Sequence, residues 1–95
     1  MTDCNGWTNY ETWLANLWLS EEDFIGQWQS ASFSEVGERE VRQAIRDWVT
    51  TQRVYRADLE YGMAVDMASN DGDWSAINYD ELSETLTDDI NSVFA

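Results

Sequence analysis

The sequence predicts an all-α protein, a compact single-domain bundle of four to five short helices. Three observations indicate this fold class. Apolar residues recur every three to four positions in several segments, no segment alternates apolar and polar residues as a strand would, and proline is absent. A chain of 95 residues forms a single core, and 43% of its residues are hydrophobic. We therefore expect residues 1–95 to form one domain without linkers or internal repeats.

The first predicted helix lies in residues 6–19, a segment that contains three of the six tryptophans. Thr8 and Glu11 have the spacing of a capping box, which predicts that the helix begins there. The apolar stripe after this start has helical spacing and comprises Tyr10, Trp13, Leu14, Leu17 and Trp18. Because a buried aromatic side chain removes roughly 150–250 Å² of surface from water, we expect the other helices to pack around this one.

A second helix is predicted to begin at Ser20. Ser20 would be its N-cap and Asp23 its third residue, while Leu19 and Phe24 have the spacing of a hydrophobic staple. About ten residues would follow, with Phe24, Ile25 and Trp28 turned inward. Gly26 weakens this helix by about 1 kcal/mol relative to alanine. Residues 30–34 are small and polar, which predicts a connection.

A third helix is predicted from Ser32 or Ser34 to about Thr51, with a buried stripe of Val41, Ile45, Trp48 and Val49. Two acid-first pairs at i, i+4 would support its solvated face, Glu35 with Arg39 and Glu38 with Arg42. Residues 50–54 have low helix preference and predict a break or kink, with an unbroken helix to about residue 68 as the alternative. A fourth stripe then comprises Tyr55, Leu59, Met63 and Met67.

The C-terminal third begins with the clearest loop in the sequence, residues 68–73, which contains the residue types that prefer turns. Trp74 and Ile77 are expected to fill the core from a short turn. Asn78 is predicted to cap the last helix, with Glu81 completing a capping box. The inner stripe of that helix comprises Leu82, Leu86, Ile90 and Val93.

The net charge is the unusual property of the chain. It contains 19 acidic residues and five arginines, with no lysine or histidine, for a net charge of −14. Residues 1–56 contain nine acidic residues and all five arginines, whereas residues 57–95 contain ten acidic residues and no basic one. Such a charge repels nucleic acid and anionic membranes and attracts basic protein surfaces. Direct binding to nucleic acid or to a membrane is therefore not expected.

The segment Asn9-Tyr10-Glu11-Thr12-Trp13 resembles the signature with which a group of small proteins encoded by phages, plasmids and other mobile elements opens. Those proteins also tend to end in an Asp-Trp-x-Glu-like helix start, and residues 77–82 occupy that place here, with Tyr79 where the others often have tryptophan. The resemblance implies a mobile-element origin. It supplies no catalytic residue, and the signature residues suit structural roles, with Tyr10 and Trp13 in the core and Glu11 as a cap.

Catalytic and metal-binding chemistry find little support, so we expect no enzyme, no cofactor and no metal site. Without histidine or lysine, the usual general bases, Schiff bases and triads are absent. Residues 66–73 are acidic, but an EF-hand frame fails there because Met67 would be the first ligand. The single cysteine, Cys4, excludes an intrachain disulfide. The chain begins without a signal-peptide pattern and contains no membrane-span pattern, which predicts a cytoplasmic protein.

The acidic residues of the C-terminal part are the candidate functional site. Asp80, Glu84 and Asp88 recur at i, i+4 beside Asp89, a spacing that destabilises a helix by a few tenths of a kcal/mol per like-charged pair. If the remaining acids lie nearby, the surface resembles the closely spaced charge of a nucleic-acid duplex. The complete candidate set is Asp58, Glu60, Asp66, Asp71, Asp73, Asp80, Glu84, Asp88 and Asp89.

The leading hypothesis is an inhibitor that binds a host protein with a basic nucleic-acid-binding groove, such as a CRISPR effector or a restriction enzyme, by mimicking DNA. One alternative is acidity for solubility in a saline cytoplasm. Another is an acidic adaptor that binds a protein partner through an exposed aromatic side chain, with Trp7 and Trp74 as candidate anchors. A homodimer is compatible with each of these hypotheses.

Overall fold

The computed structural model describes Cys4, residues 6–56 and residues 60–94. Within these residues the chain forms five α-helices and no strand, which confirms the all-α prediction. The helices are α1 (Tyr10–Glu21), α2 (Phe24–Ala31), α3 (Glu38–Thr50), α4 (Met63–Ser69) and α5 (Tyr79–Asn91). A π-helical turn, Thr51–Tyr55, extends α3, and short 3₁₀ turns lie at Trp74–Ala76 and Ser92–Phe94.

The core lies mainly between α3 and α5, which have the most extensive packing of any two helices. The predicted stripes of these two helices supply it, since Val41, Ile45, Leu82 and Ile90 are completely buried. All six tryptophans keep part of their surface exposed and pack around this core. Helix α1 packs against α2, α4 and α5, in agreement with the expectation that other helices pack around it, but its tryptophans stay partly exposed and the most extensive packing is between α3 and α5.

The N-cap of helix α1 lies one residue later than the predicted cap, Thr8. Asn9 is the N-cap, and its side-chain oxygen accepts a hydrogen bond from the Thr12 amide at 2.9 Å. Leu14 is buried as predicted, but Leu17 is 38% exposed, and Thr12, Ala15 and Leu19 are buried instead. The buried face is thus rotated away from the aromatic stripe that the sequence predicted.

The predicted cap of the second helix was also wrong. Ser20 lies inside α1, which continues to Glu21 and keeps Leu19 buried. The chain turns at Asp23, which adopts a left-handed conformation with φ 56°, and α2 begins at Phe24. A Cβ atom at Gly26 would lie 2.5 Å from the Asp23 carboxylate oxygens, so a larger residue there would require the exposed Asp23 side chain to move.

Helix α3 begins at Glu38, four residues later than the later of its two predicted starts. The preceding chain is held by Asn91 at the end of α5, whose side chain accepts from the Val36 amide at 2.8 Å and donates to the Val36 carbonyl at 3.0 Å. These two bonds use backbone groups that a longer helix would need. Glu35 therefore precedes the helix, so its predicted i, i+4 pairing with Arg39 along one helix has no basis, whereas Glu38 lies 3.6 Å from Arg42.

The α-helical geometry ends at Thr50, where low helix preference predicted a break, but the chain remains helical to Tyr55 with π geometry. Of the fourth predicted stripe, Met63 and Met67 are buried, whereas Tyr55 is 78% exposed and Leu59 lies outside the described residues. The wider π turn changes the direction in which successive side chains point. The apolar spacing therefore did not correspond to one continuous face.

The C-terminal third agrees most closely with the sequence. Ile77 is buried, Trp74 packs against the core, and Asn78 caps α5 by accepting from the Glu81 amide at 3.0 Å. Val93, predicted as the last residue of the inner stripe, is 59% exposed because the helix tightens into a 3₁₀ turn at Ser92. In the part of the chain that the structure describes, no helix is long and apolar enough to cross a membrane.

Candidate functional site

The polar residues of the signature segment, residues 9–13, hold the chain between α4 and α5. The Asn9 side-chain amide donates to the Ala76 carbonyl at 2.7 Å. The Thr12 hydroxyl, completely buried, accepts from the Asn78 amide at 2.9 Å. These bonds join positions that are 67 and 66 residues apart in the chain. They fix the 3₁₀ turn and the start of α5 against α1.

Two further residues of the signature segment contact residues 70–73, just before the 3₁₀ turn. The Glu11 carboxylate accepts from the Asp73 amide at 2.9 Å, and the Tyr10 hydroxyl accepts from the Asn70 side-chain amide at 3.0 Å. Glu11 therefore stabilises a distant turn, and its predicted role as a cap of its own helix was wrong. Trp13 packs beside Tyr10, with ring centroids 5.7 Å apart.

Asn78 accepts from the Glu81 amide as predicted, but the Glu81 carboxylate does not complete the capping box and bonds to the start of α1 instead. The Thr8 amide donates to the Glu81 carboxylate at 3.0 Å. Glu81 was expected to reach back to its own cap, and Thr8 was expected to pair with Glu11. Because the two helix starts lie side by side, each carboxylate instead meets an amide from the other part of the chain.

A polar groove lies beside α3. Its opposite side is the chain from the 3₁₀ turn to the start of α5, which the signature segment holds in place. We call it the arginine groove, and its volume is about 680 Å³. On one side are side chains of α3 and the π turn, and on the other are the 3₁₀ turn and the start of α5. The residues that form it are Thr8, Asn9, Arg46, Val49, Thr50, Arg53, Trp74, Ser75, Ala76, Ile77, Asn78, Tyr79 and Asp80.

Four of the five arginines lie at positions 39, 42, 46 and 53, and we call this row the arginine flank. At about 100° per residue, Arg39, Arg42 and Arg46 fall within an arc of about 60° on α3. The flank was missed in the sequence analysis, which treated the arginines singly as helix-pairing partners. Their spacing of three, four and seven residues was the available signal. To predict that Arg46 and Arg53 border a groove, one would need to know which helix lies beside α3.

The arginines of the flank meet different groups. Arg42 is held by two carboxylates, with its guanidinium 3.6 Å from Glu38 and its Nε atom 3.1 Å from an Asp80 oxygen. The Arg42 Nε–H is not directed at Asp80, so the contact is an ion pair and not a hydrogen bond. Arg46 instead stacks on the Tyr79 ring, with its central carbon 4.3 Å from the ring centroid. Among the described residues, no carboxylate lies within 4.0 Å of Arg46 or Arg53.

Two groups in or beside the groove have perturbed acidity. Burial raises the pKa of the Tyr79 hydroxyl, and the nearby Arg46 and Arg53 partly oppose this effect. The pKa of Asp73 is lowered, mainly because the Ser75 hydroxyl and amide both donate to its carboxylate, at 2.7 and 2.9 Å, with a smaller contribution from Arg53. Tyr79 is therefore neutral and Asp73 ionised at neutral pH.

The predicted acidic residues on α5 are exposed. Asp80, Glu84 and Asp88 follow one another at i, i+4 and so lie within an arc of about 80°. Asp80 is 84% exposed but is engaged by Arg42, so it lies at the border of the acidic row and the arginine flank. Within the described ranges, no arginine lies within 4.0 Å of Glu84, Asp88 or Asp89. We call Glu84, Asp88 and Asp89 the acidic face of α5.

The other predicted acidic residues lie on α4 and the chain around it. Asp66 is half-buried and accepts from the Trp18 indole at 2.8 Å, which gives it a role in holding α4 to α1. Asp71 is exposed and left-handed at φ 51°, Asp73 begins the 3₁₀ turn, and Glu60 is exposed. Asp58 lies outside the described residues. Asp66 and Asp73 thus have structural contacts that the sequence did not indicate.

The metal site and the aromatic anchors considered from the sequence find no support in the part of the chain that the structure describes. No group of three potential metal ligands among these residues is placed to hold an ion. Trp7 and Trp74, the candidate aromatic anchors, are half-buried and pack against the core. The exposed large apolar side chains are instead Leu17, Phe33, Val54, Tyr55, Tyr61 and Val93.

Comparison with known proteins identifies a family but no characterised relative. A family model described as "Family of unknown function (DUF7249)" matches residues 1–94. No curated protein matches the chain, and no solved structure does.

Proposed function

The chain belongs to this family of unknown function, and we propose from its own surface that it is a mobile-element protein that inhibits a host enzyme by binding to it. The target would be a nucleic-acid-handling defence enzyme, such as a CRISPR effector or a restriction enzyme, in the host cytoplasm. The acidic face of α5 would occupy the basic groove in which the target binds nucleic acid. No catalysis and no cofactor are required.

The observation that supports this proposal most directly is the acidic face itself. Glu84, Asp88 and Asp89 are exposed, and no described arginine neutralises them. Adjacent like charges on a helix cost stability, so this arrangement is better explained by binding than by folding. A protein with a basic groove is the partner that such a surface attracts most strongly by charge.

The proposal is tested by capturing host proteins on the purified chain at low and high salt. The charge attraction is screened over about 10 Å at 0.1 M ionic strength, so specific capture should weaken steeply as salt rises. The captured protein is then offered duplex DNA, which should displace the chain if both occupy one groove. Simultaneous binding of DNA and the chain would contradict mimicry.

A matched pair of variants separates the face from the net charge. The triple variant Glu84→Gln, Asp88→Asn, Asp89→Asn should lose capture and inhibition. The control variant Glu35→Gln, Glu40→Gln, Asp47→Asn removes the same charge from exposed positions elsewhere and should retain both. Equal loss in the two variants would show that only net charge matters. Circular dichroism should report the same helix content in both.

The alternative function is an acidic adaptor that binds a protein partner through apolar side chains. The observation that favours it is the exposure of Val54, Tyr55 and Tyr61, two of them aromatic, on either side of residues 57–59. Aromatic side chains frequently dominate binding energy at interfaces. In this case Tyr55→Ser with Tyr61→Ser should abolish capture, and capture by the unaltered chain should respond little to salt.

A further inference from the structure

We propose that the arginine groove binds a small phosphorylated molecule, with its phosphate between Arg46 and Arg53 and its organic part against Trp74. The site is separate from the acidic face of α5, and it does not depend on the function proposed above.

The first argument is the pairing of the arginines. The chain has 19 acidic residues for five arginines, so a carboxylate partner is available for every arginine many times over. Arg42 is held by two carboxylates, yet none of the described carboxylates lies within 4.0 Å of Arg46 or Arg53. Both arginines border the same groove. Asp80 also borders the groove and Arg53 contributes to the lowered pKa of Asp73, but neither carboxylate forms an ion pair with Arg46 or Arg53. The charge of the two guanidinium groups is therefore available to a ligand.

The second argument is the position of Arg46. The central carbon of its guanidinium lies 4.3 Å from the centroid of the Tyr79 ring, which is a cation–π contact. Such a contact holds the side chain against an aromatic ring and does not use a carboxylate. The fork of N–H donors in the plane of the guanidinium then remains available to a ligand. Such a fork suits the oxygens of a phosphate.

The third argument is the size and composition of the groove. Its volume of about 680 Å³ falls within the roughly 300–1,000 Å³ typical of small-molecule sites. A phosphate monoester has a charge of about −1.5 to −2 at neutral pH, which matches two guanidinium groups better than a single carboxylate does. Trp74, which is partly exposed, adds apolar surface to the groove, with the buried side chains of Val49 and Ile77 behind it. These side chains suit the organic part of a phosphate ester.

Isothermal titration calorimetry with three probes tests the proposal: inorganic phosphate, adenosine 5′-monophosphate and adenosine. The monophosphate should bind saturably and more tightly than inorganic phosphate, because its ring can contact Trp74. Adenosine alone should bind at least tenfold more weakly than the monophosphate, since a hydrogen bond to a charged group contributes enough for a factor of about ten or more. Ribose 5-phosphate then shows whether the base contributes to binding.

Three arginine variants assign the binding to the groove. Arg46→Gln and Arg53→Gln should each weaken binding of the monophosphate about tenfold or more. Arg39→Gln removes the same charge from the same flank outside the groove and should change affinity less than about twofold. Arg46→Lys keeps the charge without the fork and should bind more weakly than the unaltered chain. Circular dichroism establishes that each variant is folded.

The proposal is overturned if neither phosphate nor the monophosphate binds saturably at millimolar concentration. It is also overturned if adenosine binds as tightly as the monophosphate, because the phosphate would then contribute nothing. Equal weakening in Arg39→Gln and Arg46→Gln would show a long-range charge effect and not a site.

Discussion

Helices α3 and α5 are equal in length and share one core, yet only α3 balances its acidic residues with arginines. Both contain 13 residues, and each contributes a stripe of completely buried aliphatic side chains. Helix α3 has three arginines, all in the arginine flank, and three acidic residues, whereas α5 has five acidic residues and no basic one. The two surfaces meet where Arg42 contacts Asp80 and where Arg46 stacks on Tyr79.

This difference shows that a net charge does not describe a protein surface. A charge of −14 excludes general attraction to anions, but it does not exclude a local site for one. Arg46 and Arg53 border one groove and form no ion pair with a described carboxylate, so their fields add there. The same chain can therefore present an acidic face to a basic partner and a basic groove to a small anion.

The largest expected effect concerns the core that α3 and α5 share. Ile45→Ala on α3 and Ile90→Ala on α5 remove completely buried side chains, and each should lower the free energy of unfolding by about 2–5 kcal/mol. Urea denaturation followed by circular dichroism measures this. Val93→Ala, at a 59% exposed position, is the control and should cost less than about 0.5 kcal/mol. A small effect at Ile45 alone would mean that α5 packs without α3.

The next effect tests how the start of α5 is held against α1. Thr12→Val keeps the shape of a buried side chain but removes the hydroxyl that accepts from the Asn78 amide. The amide would be left unsatisfied, which should cost about 1–3 kcal/mol. Thr85→Val, at an exposed position on α5, should be nearly neutral in the same denaturation experiment. Equal stability of the two variants would remove the structural role assigned to the signature segment.

A smaller effect is expected where the two surfaces meet. A double-mutant cycle with Arg42→Gln and Asp80→Asn should give a coupling energy of about 0.2–1 kcal/mol, because Asp80 is 84% exposed and water screens the pair. Raising the salt concentration should reduce it further. A coupling above about 2 kcal/mol would indicate that the pair is shielded from solvent.

The smallest effect appears at alkaline pH. The pKa of Tyr79 is raised in the folded state from its ordinary value of 10.0, mainly by burial. The unfolded chain therefore loses this proton first, so the stability is fully present below pH 10 and is lost as pH rises through the folded-state pKa. Tyr79→Phe should flatten this alkaline decline in thermal stability. Tyr10, whose pKa is also raised by burial, should account for a further part, and an unchanged decline in Tyr79→Phe would contradict the assignment.

The features that could be predicted from the sequence are those that depend on local spacing. The stripes Val41, Ile45, Val49 and Leu82, Leu86, Ile90 have helical periodicity, and Asn78 precedes a helix start as caps do, so each was correctly assigned. The exposed carboxylates of α5 follow from the same periodicity, since they lie opposite the buried stripe.

The features that could not be predicted depend on partners far along the chain. The side chain of Asn91 holds the backbone of Val36, 55 residues away, so that α3 does not begin earlier. No local sequence pattern predicts this contact. The role of Glu11 depends on an amide 62 residues away. The arginine groove likewise exists only because the start of α5 lies beside Arg46, so no local pattern in the sequence indicated a cavity there.

The signature segment also limits when the protein can fold during synthesis. Its polar contacts, with Asn70, Asp73, Ala76 and Asn78, reach across 60 to 67 residues, and native docking of the first helix cannot be completed until most of the chain has left the ribosome. Until then the tryptophan-rich surface of that helix remains open to chaperones and to other nascent chains. A chain truncated shortly before residue 78 should accordingly be recovered mainly as aggregate.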